Sequence, residues 1–398
     1  MTSGLPLEDV RVLELGHIVA GPSAGLLLAD LGADVIKVER PGEGDQSRTM
    51  PAGTSANFDF LNRNKRSIAI DLKGSAEGRA LFLRLAAASD VVIDNFAYGA
   101  VESLGLGYEA LDRVNPGIIY LALKGFLPGP SEARPFLDEL AQMSAGLAFM
   151  TGPRGQPLRA GASIVDVGAA AYGVIAVLAA LHQRAQTGRG QKITSGLFET
   201  VVFWVGQWLA QYAATGQPSV PMPEIRQGTR MGWGVYQLFT AADGEQVFIG
   251  ITSNGHWERF CAEFGLEDLA ADERLADNAR RVAARAWLIP RLAEEMRRYP
   301  SAALSERLER CRVPFAPLRR PDQLVDDPHL IAAGQLVDTP LPGGGRAKLP
   351  KLPVRSTAFA MGLRRPAPAL GEHTREVLRE LGLETDEIDA LASRRVIA

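Results

Sequence analysis

The sequence predicts an α/β protein whose larger part is built on an open, mostly parallel β-sheet. Short apolar segments alternate with helical ones along the first half of the chain, which is typical of parallel strands joined by crossover helices. A smaller unit with a hairpin and several helices is predicted after residue 234. Hydrophobic residues make up 46% of the chain and charged residues 22%, as in an ordinary globular protein.

The apolar runs predict six strands for the larger part. They cover residues 10–15, 33–38, 68–72, 91–93, 117–123 and 192–195. Between and after them the periodicity predicts helices at residues 24–31, 76–89, 137–148, 160–184, 197–214 and 375–383. The first helix has Pro22 near its start and Gly32 just past its end, the usual asymmetry of helix termini.

A stretch rich in Pro, Gly and Arg at residues 216–234 marks a boundary before the smaller unit. Two segments, residues 235–239 and 246–251, then predict a hairpin that turns at Ala242 to Gly244. Helices are predicted at residues 255–264, 279–298 and 301–311. Gly343 to Gly345 is interpreted as a plain loop.

The predicted helix at residues 160–184 carries one acid, Asp166, and is uncharged from Val167 to Leu181. So apolar a helix is expected to be buried nearly all round, and the uncharged run is too short to span a bilayer. Spacing alone favours Asp166 as a cap or a first-turn acid. The alternative is a carboxylate that performs covalent chemistry.

Composition excludes several classes of function. A net charge of −3 gives no basic footprint for nucleic acid, and the N-terminus has no secretory signal pattern. Two cysteines and five scattered histidines form no disulfide framework and no metal-ligand spacing. We therefore expect a cytoplasmic protein with no bound metal, no membrane partner and no nucleic-acid partner.

Two segments raise the question of a phosphate-bearing ligand. The turn at Gly21 to Ser23 opens a helix and offers free N–H groups to an anion, but the nearby glycines lack the G-x-G-x-x-G spacing of dinucleotide-binding proteins. Glu39 therefore does not indicate a ribose contact. The basic cluster at residues 62–67 is either a solvated edge or a second phosphate contact.

Several motifs resemble one family, the class III CoA-transferases of the formyl-CoA and carnitine-CoA transferase type. The motifs that carry this resemblance are VRVLELGHIVAGPSAGLLLADLGADVIKVERPGEGDQSR, NRNKRSIAIDLK, DNFAYGAVESLGLGYEAL, NPGIIYLALKGF, ARPFLDELAQMSAGLAFMTG, GASIVDVGAAAYGVIAVLAALHQRAQTGRGQ, VPFAPLRRPDQLVDDPHL and LGEHTREVL. They occur in the family's order and cover essentially the whole chain.

The resemblance implies that Asp166 is the nucleophile of a CoA transfer. In the family this acid attacks the thioester of the donor acyl-CoA, and the CoA then passes through an aspartyl anhydride and an aspartyl-CoA thioester to a free carboxylic acid. Such covalent catalysis divides one hard exchange into easier acyl transfers. Coenzyme A is part of the substrate, and no tightly bound cofactor is implied. The expected donor is succinyl-CoA or another short dicarboxylyl-CoA.

The resemblance also implies which positions contact CoA. These positions are Val19, Ala20, Arg40, Ile70, Lys73, Asn95, Phe96, Ala97, Arg134 and Asp138. Arginine and lysine suit the several phosphate charges of CoA.

The sequence departs from the family pattern at three places. Asn95-Phe96 is followed by Ala97-Tyr98-Gly99 where relatives often have a basic residue and Pro-Gly, and Ser103 stands where some have arginine. The four-glycine flap of formyl-CoA transferases is absent from residues 228–234, so oxalate or formate specificity is not expected. Arg226 or Arg230 is instead a candidate for the far carboxylate of a dicarboxylic acid, or else a surface arginine.

Three other functions stay open as alternatives. An α-methylacyl-CoA racemase needs an acid and a base on opposite faces of the α-carbon. Relatives with racemase activity place a histidine in the segment before the aspartate. The sequence disfavours this activity, because no histidine lies between His17 and His182. An intramolecular transferase that moves CoA between the two ends of one diacid, and a CoA-binding protein without catalysis, are the others.

The resemblance implies a two-domain architecture. Residues 1–220 and 330–398 would form a large CoA-binding catalytic domain, residues 225–325 a small inserted α+β domain, and residues 326–345 a return linker. It further implies that two chains thread through one another as an interlocked homodimer.

Overall fold

Six parallel strands form the sheet of the larger unit of the chain. The structure, a computed structural model, describes residues 4–50, 56–228, 232–341 and 344–398. The strands are β1 Arg11–Leu15, β2 Asp34–Glu39, β3 Lys65–Ala69, β4 Val91–Asp94, β5 Ile119–Lys124 and β6 Gln191–Gly196. Their order is β3-β2-β1-β4-β5-β6, and every neighbouring pair is parallel. The predicted α/β class with a parallel sheet is therefore confirmed.

Helices connect these strands or follow the last of them. They are α1 Ala20–Asp30, α2 Ala56–Leu61, α3 Ala76–Ala87, α4 Ala100–Ser103, α5 Tyr108–Val114, α6 Asp138–Ser144, α7 Leu147–Thr151, α8 Ile164–Thr187, α9 Leu197–Trp204 and α10 Gly206–Thr215. The helix predicted at residues 137–148 is divided between α6 and α7 beside Gly146, which has a positive φ of 91°. The helix predicted at residues 197–214 is likewise divided, at Val205, into α9 and α10.

The chain divides into two compact units. Met1–Leu147, Ala160–Gln207 and Pro328–Ala398 form the first, and Ala148–Arg159 with Trp208–Asp327 form the second. The second unit contains α11 Met222–Gln227, β7 Val235–Thr240, β8 Gln246–Ile251, α12 Asn254–Phe264, α13 Glu267–Ala270, α14 Asn278–Ala283, α15 Arg285–Met296, α16 Ser301–Arg310 and β9 Phe315–Pro317.

The second unit has its own core beneath a small antiparallel sheet. β7 and β8 form the predicted hairpin. Phe315–Pro317, which was not predicted as a strand, adds β9 to the edge of this hairpin. Trp257, Phe260 and Leu288 are buried beneath this sheet. The helix predicted at residues 279–298 is two helices, α14 and α15, with Ala284 between them.

The C-terminal part of the chain completes the first unit. Its elements are α17 Pro328–Ala332, β10 Leu336–Pro340, β11 Arg346–Pro350, α18 Thr374–Glu380 and α19 Thr385–Ser393. Ile397 bridges Ile70 after β3, and Val377, Leu378 and Ile388 are buried in the core of the sheet. Part of the loop predicted at residues 343–345 lies outside the described residues.

Helix α8 has one buried face and one exposed face. It packs against α1, β5 and β6, with Gly173 and Val177 buried. Val167, Tyr172 and Ile175 are 46%, 37% and 62% exposed, so the prediction of burial nearly all round is wrong for this chain. The helix has 24 residues and is long and apolar enough to cross a membrane by length and composition alone. The uncharged run had predicted a segment too short to do so, but the helix packs on the sheet.

The basic cluster at residues 62–67 is neither a solvated edge nor a phosphate contact. β3 begins at Lys65, three residues before the predicted start, and the side chains of Arg63, Lys65 and Arg66 are buried. Carboxylates from distant parts of the chain pair with them: Asp30 with Arg63, Glu14 with Lys65, and Asp34 with Arg66. Both interpretations were wrong because these pairings join residues far apart in the sequence.

Candidate functional site

The carboxyl ends of the strands bring most of the predicted CoA contacts to one edge of the sheet. Val19 and Ala20 follow β1, Arg40 follows β2, Ile70 follows β3 and Asn95 follows β4. Because these four strands are parallel neighbours, the segments after them lie along the same edge. The chain leaves β1 in one direction to β2 and in the other to β4, and ligands of open α/β sheets bind at such a switch point.

The turn between β1 and α1 is joined to the end of β4 by Asn95. The Asn95 side chain accepts the backbone N–H of His17 at 2.9 Å and donates to the His17 carbonyl at 3.0 Å. The two ends of the turn are in close contact. A Cβ added to Gly16 would lie only 2.9 Å from the Cα of Gly21, which leaves no room for a side chain at position 16. Asn95 thus holds the backbone immediately before Val19 and Ala20.

A buried acid and a lysine fix the segment from Asn95 to Ala97. Asp94 accepts the Phe96 N–H at 2.7 Å and the Tyr120 hydroxyl at 3.0 Å. Lys124 pairs with Asp94 and donates to the Phe96 carbonyl at 2.8 Å. Burial raises the pKa of Asp94 even though Lys124 opposes that rise.

The Phe96 ring lies against His17. Their ring centroids are 5.3 Å apart. Burial lowers the pKa of His17, so its imidazole is neutral at physiological pH. Asn95 and Phe96 therefore both contact the turn after β1, whereas Ala97 is exposed beside them.

Helix α8 runs antiparallel to the strands and begins at the same edge of the sheet. Ser195, near the carboxyl end of β6, donates its hydroxyl proton to the carbonyl of Ala169 in the second turn of α8. At the opposite end of the helix, Arg184 bonds the carbonyls of Asp90 and Gly117, which precede β4 and β5. The first turn of α8 therefore lies toward the carboxyl ends of β5 and β6.

Asp166 stands in this first turn, and Asp138 holds the turn in place. Asp166 is the third residue of α8, and the N-cap Ser163 makes no side-chain cap. Asp138 supplies the cap instead, because its Oδ2 accepts the N–H groups of Val165 at 2.8 Å and Asp166 at 3.1 Å. The prediction that Asp166 is a first-turn acid is confirmed.

Gln142 fixes the carboxylate that holds the helix. Its amide Nε2 donates to Asp138 Oδ1 at 2.6 Å, and its Oε1 accepts the Ala160 N–H at 2.8 Å. Both side chains are buried, Asp138 being 8% exposed. A chain of hydrogen bonds thus runs from the segment before α8, through Gln142 and Asp138, to the backbone of Asp166.

The remaining predicted contacts differ in how they face the solvent. Arg40 is exposed and pairs with Glu43 at 2.8 Å. Lys73 and Arg134 are exposed as well. The side chain of Ile70 is buried, so only its backbone can face a ligand.

The two arginines considered for a substrate carboxylate belong to the second unit. Arg226 is exposed at the end of α11 and lies 5.9 Å from the ring centroids of both Tyr236 and Phe248. Arg230 lies outside the described residues. Among the residues that the structure describes, no group of three or more His, Cys, Asp or Glu side chains is arranged to hold a metal ion.

Sequence reasoning missed Gln142 and Asp45. Gln142 stands four residues after Asp138, which is the spacing of neighbours on one helix face, so a helix beginning at Asp138 would have paired them. Asp45 lies in the long loop after β2, yet its Oδ1 accepts the N–H of Ile18 at 3.1 Å. No pattern in the sequence signals a contact between residues 27 positions apart in a turn and a loop.

Comparisons with known proteins place the chain in one family. The family model described as CoA-transferase family III matches residues 7–374. The chain is 35% identical over 399 residues to a protein of Chloroflexus aurantiacus named succinyl-CoA–D-citramalate CoA-transferase, covering 98% of each chain. It is 34% identical over 383 residues to human succinyl-CoA:glutarate CoA-transferase, covering 94% of this chain and 86% of the relative.

A solved structure shares the fold. The crystal structure of a CAIB/BAIF family protein from Brucella suis matches with a TM-score of 0.85 and 35% sequence identity. The match covers 95% of this chain and all of that one.

Proposed function

The chain belongs to CoA-transferase family III, and we propose that it moves CoA from succinyl-CoA to a free dicarboxylic acid with Asp166 as the nucleophile. The observation that carries this proposal is the position of Asp166 in the first turn of α8, at the carboxyl edge of the sheet, with its backbone held by Asp138. The names of the relatives from Chloroflexus and human support succinyl-CoA as donor.

The first half of the reaction loads CoA onto the enzyme. An oxygen of the Asp166 carboxylate attacks the thioester carbonyl of the donor. The C–S bond then breaks, the CoA thiolate departs, and an aspartyl anhydride is formed. The thiolate then attacks the Asp166 carbonyl carbon, releases the donor acid as its carboxylate, and forms an aspartyl-CoA thioester. The positive end of the α8 dipole favours the negative charge that Asp166 carries when it leaves as a carboxylate.

The second half transfers CoA to the acceptor. The acceptor carboxylate attacks the aspartyl thioester, which gives a second anhydride and a free CoA thiolate. The thiolate then attacks the acceptor carbonyl carbon, and Asp166 leaves as its carboxylate. Each tetrahedral intermediate needs hydrogen-bond donors for its oxyanion. Backbone N–H groups near the start of α1 are the candidates, since Asp138 already accepts those of Val165 and Asp166 at the start of α8.

The CoA would lie along the carboxyl edge of the sheet. Its path would follow the backbone of Val19, Ala20 and Ile70 and the segment from Asn95 to Ala97. Arg40, Lys73 and Arg134 are exposed cations and suit the phosphate charges of CoA.

We further propose a homodimer in the cytoplasm. The exposed face of α8 carries Tyr172 and Ile175, and Phe203 of α9 is 72% exposed and lies edge-on to Tyr172, with ring centroids 5.6 Å apart. Covering such apolar side chains with a second chain would remove them from water.

We also propose a division of the chain into two domains and a linker. The large domain comprises residues 1–220 and 330–398, the small domain residues 225–325, and the linker residues 326–345.

A CoA-exchange assay tests the proposed reaction. The protein is incubated with succinyl-CoA and each of a panel of free acids that includes citramalate, mesaconate and glutarate, and the acyl-CoA products are separated by chromatography. We expect succinate release that matches new acyl-CoA formation with at least one diacid. Asp166→Ala should abolish the exchange. CoA exchange that survives in Asp166→Ala, or no exchange from succinyl-CoA to any of the acids, would reject the proposal.

A further inference from the structure

The turn after β1 contains a strained residue that the proposed reaction does not yet explain. Ile18 has a φ of +64°, in the left-handed region where a β-branched residue is a true outlier. Such conformations persist only where surrounding contacts impose them, and they concentrate at functional sites. Ile18 lies directly before Val19 and Ala20, so its φ sets the direction in which their backbone leaves the turn.

Three side chains hold three consecutive residues of this turn. Lys37 donates to the carbonyl of Gly16 at 2.7 Å, and Asn95 holds both backbone groups of His17. Asp45 accepts the N–H of Ile18 at 3.1 Å. Of the three, only Asp45 contacts the residue with the strained φ.

Asp45 is itself fixed by a buried set of contacts. Its Oδ1 also accepts the N–H and the hydroxyl of Ser47, at 2.8 and 2.7 Å. Its Oδ2 pairs with Lys37 at 2.8 Å, and Lys37 pairs in turn with Glu14 at 2.8 Å. Lys37 and Glu14 are fully buried and Asp45 is 4% exposed. The carboxylate therefore cannot move without breaking several buried contacts.

We propose that Asp45 is a positioning residue that holds Ile18 in its left-handed conformation and thereby presents the Val19–Ala20 backbone to CoA. Without the acceptor, Ile18 relaxes to a negative φ, the peptide after it rotates, and the first turn of α1 loses its orientation. Asp45 touches no reacting atom, and its effect is on CoA binding. This inference rests on the proposed path of CoA past Val19 and Ala20.

Glycine at position 18 separates this role from a general structural one. Glycine populates positive φ as readily as negative φ, so the Ile18→Gly background removes the strain that Asp45 has to balance. A double-variant cycle of Asp45→Ala with Ile18→Gly therefore measures the coupling between the two residues. Asp30→Ala is the matched control, because Asp30 is an equally buried acid at the far end of α1, paired with Arg63 at 2.6 Å.

The readouts are the Kd of free CoA by calorimetry and the KM of succinyl-CoA. We expect Asp45→Ala to raise both by about tenfold with Ile18 present and by less than about threefold in the Ile18→Gly background. Asp30→Ala should lower the unfolding midpoint and change the Kd by the same small factor in both backgrounds. If Asp45→Ala does not fold, Asp45→Ser, whose hydroxyl is too short to reach the Ile18 N–H, takes its place with the same expectation.

Two results would overturn the inference. One is an Asp45→Ala protein that binds CoA as the wild type does, and the other is an equal loss of affinity in both backgrounds. A wild-type protein that does not bind CoA at all would instead reject the proposed function, so the two failures are distinguishable.

Discussion

Asp138 and Asp166 are linked through the start of a helix: the Asp138 carboxylate accepts the backbone N–H of Asp166 at 3.1 Å and that of Val165 at 2.8 Å. The two acids therefore have separate tasks. Asp138 is buried. Its Oδ2 accepts hydrogen bonds from the start of the helix, and its Oδ1 accepts one from Gln142. Asp166 is partly exposed in the same turn, and its side chain is the one that we propose reacts.

Removing the Asp138 carboxylate should impair catalysis more than folding. Asp138→Ala leaves the first N–H groups of α8 without their acceptor, which costs about 0.5–2 kcal/mol of stability for a lost cap. A nucleophile displaced by about 1 Å loses about 100-fold in rate. We expect kcat to fall by about that factor in steady-state assays, while Asp138→Asn, which keeps an acceptor oxygen, retains more activity. Equal kcat values for Asp138→Ala and wild type would contradict this role.

Gln142→Ala should produce a milder form of the same defect. It removes one hydrogen bond to Asp138 and one to the Ala160 N–H but leaves the helix cap in place. We expect a loss of about 1 kcal/mol in the free energy of unfolding and a fall in kcat of less than about tenfold. Urea titration and steady-state kinetics measure the two quantities. A larger kcat loss than in Asp138→Ala would show that Gln142 acts by another route.

Gly168 is required by the packing of α8 against α9. A Cβ at this position would overlap the ring of Trp204 and crowd Thr200, and overpacking of this kind costs about 1–3 kcal/mol. We expect Gly168→Ala to lower the free energy of unfolding by that amount. Gly206→Ala is the control, since nothing lies within 4 Å of a Cβ there, and it should not destabilise. The prediction fails if the two variants unfold at the same urea concentration.

The contribution of Asp45 to the free energy of unfolding should decrease at acidic pH. Burial alone would raise the pKa of Asp45, but Lys37 and the hydrogen bonds from Ser47 lower it well below the usual range. A lowered pKa means that this stabilisation is fully present above the unfolded value of about 3.9. It is lost as the pH falls below that value, because the unfolded state then binds the proton first.

The Asp45→Asn variant tests this sign. The difference in free energy of unfolding between wild type and variant should be constant from pH 7 to about pH 5. It should then shrink as the pH falls toward about 3, where the unfolded aspartate is protonated. Urea titrations across this range measure it. A difference that grows toward low pH would contradict the assignment.

The cysteines should be unreactive in the folded protein. Cys261 and Cys311 are buried, and burial raises the pKa of Cys261 to about 12 and raises that of Cys311 as well. Because the thiolate is the reactive form, we expect no labelling by a disulfide reagent at pH 8 until urea unfolds the protein, when both thiols react. Rapid labelling of the native protein would contradict the burial of these groups.

Four strands of the sheet could be predicted from their clusters of Val, Ile and Leu. β1, β2, β4 and β5 begin and end within two residues of the predicted bounds, because such clusters are typical of strands covered on both faces. β3 could not be placed in this way. Its first residues, Lys65 and Arg66, are charged, and their partners Glu14 and Asp34 are far away in the sequence.

The candidate site was predictable only in part. The place of Asp166 in a first helical turn followed from an isolated acid before an uncharged run. The exposed face of α8 did not, because composition does not distinguish an apolar face that meets the sheet from one that meets solvent. The contact of Asp138 with the helix start and that of Asp45 with Ile18 depend on long-range geometry, which local patterns do not encode.

Covalent trapping at Asp166 tests the central claim most directly. The protein is incubated with succinyl-CoA without an acceptor, treated with hydroxylamine or borohydride, and digested for peptide mass mapping, with Asp166→Asn treated alongside. We predict one modified peptide, changed at Asp166 alone and unmodified in the variant. Modification at another carboxylate, or CoA exchange at full rate with no modified peptide, would contradict the account.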